Sequence, residues 1–497
     1  MSLVASLGNA EADLYRARLL QISGQAEKAG EVYRTLFARE QFRGESALAL
    51  ANLARAAGDI AEARHWLRGA SRFGFGDIAE QARLGLAELE LASGNTEQAG
   101  KELAGMVGGY WAAIGYMNLA SAFSVQDSNT SRALVALRVA IAMAKEDSEE
   151  KRRQSVLDRL HLQAGFFALQ NGEQDKAIDF LEKVSLDGYQ TPRALYLHGV
   201  ALAEKGNYRA AMQSWHRAKK FPLAFAGVPE AWIGMGSGFD LAGYPGQAGE
   251  YWLAANAAFE SEQATLSELE RNIRQHGAYK ALVQDARGKG IEWFLEDSLT
   301  LTQPRLGYLL LFLEQPDAQA AIRRMARFDA LKQTLEQRQN DLEIYTGAML
   351  KHRTGKQVEE VSQQILGLQN QHSQLQSQIE KLLAMGRPGA RSDQLKELQE
   401  ILASAKARRE SLESRSAQYR GARSNQLARV RAFTAENEAL RRQLADSRQA
   451  AAAALDQQAL AFVAQQKNRL ARARNRTGQQ IAHLYEDLAL EHLEGQR

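Results

Sequence analysis

The sequence predicts an all-α chain: a solenoid of helical hairpins followed by a long, antiparallel coiled-coil hairpin. Three observations carry this expectation. A four-residue pattern recurs seven times between Ala10 and Phe259: a small residue, a Gly seven on, an Ala five further, and a bulky apolar residue four beyond. After about Ala326 the spacing of apolar residues changes to a heptad. Pro is scarce, 7 in 497 residues, and no run of alternating β-branched residues reads as a sheet. A chain of this length is too long for one core, so two or three domains are expected.

The clearest copies of the pattern are Gly199–Gly206–Ala211–Trp215 and Gly236–Gly243–Ala248–Trp252. The others are Ala17–Gly24–Ala29–Tyr33, Ala51–Gly58–Ala63–Leu67, Ala87–Gly94–Ala99–Leu103, a degenerate Ser121–Ser128–Ala133–Leu137, and Gly165–Gly172–Ala177–Leu181. The small residue lets a second helix approach the first, and the Gly carries the chain through the turn. The Ala is the close contact on the second helix, and the bulky residue one turn later fills the gap to the next hairpin. The interval from Ser128 to Gly172 is longer than the rest; its charged surplus, Lys145 to Arg153, reads as a lengthened second helix of the fourth hairpin or a solvated loop.

The pattern resembles the tetratricopeptide repeat (TPR) family over roughly residues 10–260, about half the chain. The resemblance implies a TPR-like α-solenoid whose first helices line a concave groove that takes an extended peptide or a partner helix. Candidate groove residues are Tyr15, Asn52, Tyr116, Asn118, His161, Gln163, Tyr196 and His198, the polar and aromatic side chains of those helices.

Beyond the repeats the expected organisation is as follows. Residues 1–12 read either as the remnant of a secretory signal, with Ala10-Glu11-Ala12 as an A-x-A pattern, or as a frayed N-terminus. Residues 13–261 form the superhelix of about seven hairpins. Residues 262–325, with Trp293, Phe294 and the run Leu306 to Leu313, form a helical cap over the last hairpin. Residues 326–458 form the coiled-coil hairpin, turned at 386–389 by Gly-Arg-Pro-Gly. Its first arm carries Phe328, Leu331, Leu335, Leu342, Tyr345 and Met349, then Val358, Val361, Ile365, Leu368, Leu375, Ile379 and Leu382; its second carries Leu395, Leu398, Leu402, Leu412, Val430, Phe433, Leu440 and Leu444. Pairing about the turn sets Phe328 opposite the region of Ser447, and Asn437 at a seam position sets register. A parallel dimer through either arm is the alternative to the intramolecular hairpin. Residues 459–497 are a C-terminal helix docking back on the cap through Ile481, Leu484, Tyr485 and Leu488.

Motifs for chemistry are missing. There is no Cys, which excludes disulfides, thiolate metal sites and cysteine nucleophiles within these residues. Gly288-Lys-Gly290 lacks the spacing of a phosphate loop, and the 9 His form no HExxH or His–carboxylate cluster. Gly234-Met-Gly-Ser-Gly238 imitates a nucleophile elbow, but it lies inside a repeat's first helix, where its glycines serve packing. No enzyme activity, cofactor or metal is therefore expected. No stretch approaches the ~20 apolar residues that span a bilayer.

The net charge is +3, from 62 basic and 59 acidic residues, so bulk attraction to polyanions is not expected. The excess is concentrated in the second arm, where Arg420, Arg423, Arg429 and Arg431 form a candidate basic stretch with few aromatics for base stacking. The function expected is a protein–protein interaction scaffold, with a groove for one protein partner and the arm for a second. Absence of Cys, the A-x-A pattern and an Ala- and Arg-rich composition lean toward a bacterial envelope assembly and a periplasmic location, with a cytoplasmic one as the alternative. The rival functions are polyanion binding (nucleic acid or anionic lipid) through the basic arm and a regulatory subunit of an enzyme complex.

Overall fold

The computed structural model describes residues 10–22, 25–284, 304–351, 354–384 and 392–494, and among these every regular element is helical. Outside them lie most of the signal-like segment, Gly24, Gly288–Gly290, Trp293 with Phe294, and the turn at 386–389. Two compact units divide the chain. The first comprises residues 1–276, 280–314 and 460–497, and the second 277–279 and 315–459.

Fourteen helices of the first unit pair as seven hairpins: α1 Ala10–Ile22 with α2 Ala26–Ala38, α3 Arg43–Ala57 with α4 Ile60–Phe73, α5 Asp77–Ala92 with α6 Thr96–Ala104, and α7 Tyr110–Gln126 with α8 Ser131–Lys145. Then come α9 Glu150–Gln170 with α10 Gln174–Leu181, α11 Thr191–Glu204 with α12 Tyr208–Ala218, and α13 Val228–Leu241 with α14 Pro245–His276. Two first helices carry a proline in their first turn, Pro192 in α11 and Pro229 in α13, where a missing N–H leaves nothing unsatisfied. Two second helices start on polar caps: Asp59 accepts from Glu62 N at 2.9 Å, and Asn207 from Ala210 N at 3.3 Å.

The turn glycines Gly58, Gly94, Gly172, Gly206 and Gly243 all lie at φ between +70° and +83°, a region closed to most L-residues. The fourth hairpin forms without such a glycine. Asp127 leaves α7 in an extended conformation, φ −93° and ψ 152°. The buried Thr130 then anchors the start of α8, its hydroxyl donating to Phe167 O at 2.8 Å and its N–H to Asn171 Oδ1 at 3.1 Å. Ser121 is exposed, and Gly115 makes this hairpin's close contact, with Leu103.

The charged segment after Lys145 does not lengthen α8. It begins α9, which at 21 residues is the longest first helix of the array. The cause is Asp147, only 4 % exposed, which accepts two bonds from the Arg152 guanidinium at 2.7 Å and one from Glu149 N at 3.1 Å. That clamp fixes a short corner ahead of α9 in place of a solvated loop.

α14 runs unbroken through residue 261 to His276. Alongside it lies the tail of α18 (Ser392–Glu494), in the opposite direction: Lys467 bonds Glu270 at 2.7 Å, Arg474 pairs with Glu260 at 3.5 Å, and the fully buried Thr477 bonds Asn256. Ile481 and Leu484 pack on Ala248 and Trp252, whereas Tyr485 and Leu488 are 63 % and 39 % exposed. The short helix α15 (Pro304–Leu313) adds Phe312, whose ring is 5.4 Å from that of Phe462.

In the second unit α16 (Pro316–Lys351) and α17 (Thr354–Ala384) pair with the first part of α18 as an antiparallel arm. Arg448 bonds Asp329 at 2.9 Å, and Gln369 bonds Glu413 at 3.0 Å. The buried Asn437 donates to Leu335 O at 3.2 Å and Gln339 Oε1 at 3.0 Å. The Asp329–Arg448 bond is one residue from the pairing of Phe328 with Ser447 read from the turn. Of the seam positions read from the sequence, Leu335, Ile365 and Ile379 are buried, but Leu331, Tyr345, Leu368, Leu375, Leu412, Phe433 and Leu440 are exposed. A two-helix pair encloses a narrower strip than the heptad pattern offers.

Candidate partner-binding surfaces

The array's geometry follows from close approach at its small residues. All seven pattern alanines of the second helices, Ala29 through Ala248, are fully buried. A Cβ added to Gly165 would stand 2.5 Å from Leu181 Cγ, one on Gly199 2.6 Å from Trp215 Cδ1, and one on Gly85 2.8 Å from Leu67. The bulky residue thus touches the first helix of its own hairpin or of the next; Trp215 does both, meeting Gly199 and Gly234. Both tryptophans also bond first-helix carbonyls, Trp215 Nε1 to Tyr196 O at 3.1 Å and Trp252 Nε1 to Ile233 O at 3.2 Å. Gly234, Gly236 and Gly238 are spent on this packing against Trp215, Trp252 and Met212.

This array is an α-solenoid of seven helical hairpins, the architecture that the resemblance to tetratricopeptide repeats implied. No family model matches the chain, and no curated protein matches it. Similar solved structures include the MamA protein, at 21% identity over 36% of this chain and 91% of that one, with a TM-score of 0.27. A tetratricopeptide repeat protein from Parabacteroides merdae is similar at 15% identity over 52% of this chain and 98% of that one, TM-score 0.29. YrrB, described as a TPR protein with an unusual peptide-binding site, is similar at 16% identity over 42% and 85%, TM-score 0.23. At these scores the likenesses add nothing to what the hairpins themselves establish.

The eight residues read as groove candidates separate into three groups. Tyr15, 52 % exposed, and Asn52, also exposed, stand free on α1 and α3; the Arg18 guanidinium lies 5.9 Å from the Tyr15 ring centre. Asn118 and Gln163 are half-buried, and Gln163 is engaged between helices, donating to Ser121 Oγ at 3.0 Å. Tyr116, His161, Tyr196 and His198 belong largely to the packing between hairpins, because each first helix is covered on two sides by its neighbours. Tyr116 and Tyr196 pack against the cores on either side of them, and burial raises the pKa of both phenols.

His161 is a correction to the groove set. It is 8 % exposed, and its Nδ1 is buried without a hydrogen-bond partner. Burial, with help from Lys183, depresses its pKa to about 4. A ring in that setting is a neutral core histidine and does not reach a bound peptide.

His198 stands in a cavity of about 230 Å³ between the fifth and sixth hairpins, lined also by Glu182, Ser185, Thr191, Ser214 and Arg217. Its Nδ1 is 2.7 Å from Ser214 Oγ and its Nε2 is 3.6 Å from the Glu182 carboxylate. Burial lowers its pKa, opposed by Glu182. Glu182, Ser214 and Arg217 come from the second-helix side of the hairpins, so a reading confined to first helices missed them; no sequence spacing marks them as neighbours. Missed for the same reason is Lys219, whose ammonium lies 3.8 Å from the centre of the Trp232 ring and 5.0 Å from that of Tyr251.

In the arm, Arg429 and Arg431 are exposed, while the side chains of Arg420 and Arg423 lie outside the described residues. A groove of about 750 Å³ runs beside Lys332, Arg441, Arg442 and Arg448, but Glu336 and Glu438 line it as well, and Arg448 is bonded to Asp329. Its charge is mixed. Among the described residues no group of three or more His, Asp or Glu could hold a metal ion, and no helix is long and apolar enough to cross a membrane.

Proposed function

We propose that the chain is a non-enzymatic interaction scaffold, its array holding a peptide or helix of one partner and its coiled-coil arm a second. The observation that carries this is the division of labour along the first helices. The pattern's second-helix alanines and bulky residues are buried in stacking, whereas Tyr15, Leu19 and Asn52 on the first helices are exposed and take no part in it. Exposed aromatic and amide groups on a rigid stack are what an extended peptide can use, since rigid contact groups lose little entropy on binding. Selection of peptides from a displayed random library on the full chain tests it. Selected peptides should bind at about micromolar Kd and weaken about tenfold or more in Tyr15→Ala or Asn52→Arg. Binding that survives both substitutions would refute the placement of the groove on these helices.

The groove between α16 and α18 with Lys332, Arg441 and Arg442 supports the second reading, polyanion binding, against which Glu336 and Glu438 weigh. Absence of retention on DNA, RNA or anionic vesicles at about 50 mM salt would remove it. A bacterial envelope setting is supported by composition and by the A-x-A pattern; cell fractionation of the tagged native gene, with a periplasmic signal expected, checks it. A regulatory subunit would copurify with a stoichiometric enzyme.

A further inference from the structure

The seam positions left outside the arm's own core lie on one rotational side of it, in two groups along its length. Leu331, Tyr345, Leu368 and Leu375 on the outgoing half, and Leu412, Phe433 and Leu440 on the returning half, are between 41 % and 63 % exposed. Each stands three residues after or four before an inward residue: Leu331 before Leu335, Tyr345 after Leu342, Leu368 after Ile365, Leu375 before Ile379, Leu412 before Ser416, and Phe433 and Leu440 on either side of Asn437. In a helix wound at 3.5 residues per turn that offset is about 50° to one rotational side. The two halves run antiparallel and both are right-handed, so the same offset brings both lines to the same face of the arm.

We propose that this face is covered by the same face of a second copy of the chain, with the two arms side by side, tips together, as a four-helix bundle. Three features select this occupant. An apolar line of similar width on each half makes the face self-complementary about a two-fold axis along the arm, which sets α16 and α17 of one copy over α18 of the other. The seven side chains are each 41 % to 63 % exposed, so covering all of them on both copies removes an area on the order of 1,200 Å², the lower end of specific interfaces. At the register fixed by Asp329–Arg448, Tyr345 of one copy comes level with Phe433 of the other, and the exposed Arg338 comes within a turn of the exposed Glu436, a pairing that the two-fold makes twice. A tip-to-base arrangement would instead bring Arg338 level with Leu368. Asn437, already bonded within the chain, stays where it is in the dimer.

The inference rests on the arm being a contact surface, as proposed above; peptide binding by the array is read separately, so either can fail alone. Sedimentation equilibrium of the full chain at about 10 µM should give twice the chain mass. Leu412→Glu with Phe433→Glu should give the monomer mass with unchanged far-UV helicity, since neither residue is buried within the chain. Arg338→Glu should weaken the dimer about tenfold, and adding Glu436→Arg should restore it. A monomer at about 100 µM, or a dimer indifferent to the glutamate pair, would overturn the proposal. If the glutamate pair reduced helicity, the Arg338–Glu436 exchange decides, because both sites are exposed; failure of the second change to rescue the first counts against it.

Discussion

Trp252 offers the sharpest test of how the array holds together. Its indole is 1 % exposed, lies against Gly236, bonds Ile233 O, and carries Leu484 and Ile481 on its other side. Trp252→Ala removes the largest fully buried side chain among the described residues, at a position packed between Gly236 and Leu484, so little collapse is available. A loss of about 3–5 kcal/mol is expected. In a repeat array that loss is local, because each hairpin contacts only its neighbours. Hydrogen exchange followed by peptide mass spectrometry should therefore show lost protection in 228–276 and 460–490, with α3 to α8 unchanged. Leu253→Ala, one residue on but 54 % exposed, is the control and should change protection by under about 0.5 kcal/mol. Uniform loss of protection from α3 to α14 would refute nearest-neighbour stacking. A change under about 1 kcal/mol at 228–276 would refute the role given to the indole.

Three further outcomes are expected. His161 stays neutral when folded until about pH 4, while unfolded it protonates near pH 6.5, so the unfolded state binds more protons between these values and stability should fall by about 3 kcal/mol as pH drops through that window. Urea unfolding at a series of pH values checks this, and His161→Leu should flatten the slope. Gly58→Ala places a Cβ at φ +79° in open space, so a loss of about 1 kcal/mol from backbone strain alone is expected in the second hairpin, measured by local hydrogen exchange. Asn437→Leu should leave thermal stability of the arm equal or about 1 kcal/mol higher while broadening its register, seen as weaker discrimination between Asp329–Arg448 and neighbouring pairings in cysteine cross-linking.

The array was legible because its rules are local. A Gly at the turn announces a left-handed residue in five of the hairpins, and a small residue opposite a bulky one announces close helices. What was not legible depended on partners distant in sequence. Ser128 lacks a glycine's freedom, yet the fourth hairpin closes because Thr130 reaches Phe167 and Asn171 some forty residues on. Lys145 to Arg153 looked like solvated charge until Asp147 is seen buried under Arg152. Periodicity named the face of α9 that holds His161 but not the neighbours covering it. In the arm, a heptad names two lines of apolar residues without saying which the chain keeps for itself; Leu335 went inward and Leu331 did not.

The contact between Trp252 and Leu484 has a consequence in time. More than two hundred residues separate the two along the chain, and a ribosome adds them in roughly 10–50 s. Throughout that interval the last hairpin's apolar face is finished but bare, beside a growing chain that contains the arm's own exposed leucines. The nascent protein must keep these two sticky surfaces apart until its final helix arrives, which makes the minute after α14 emerges the period when a chaperone has most to protect.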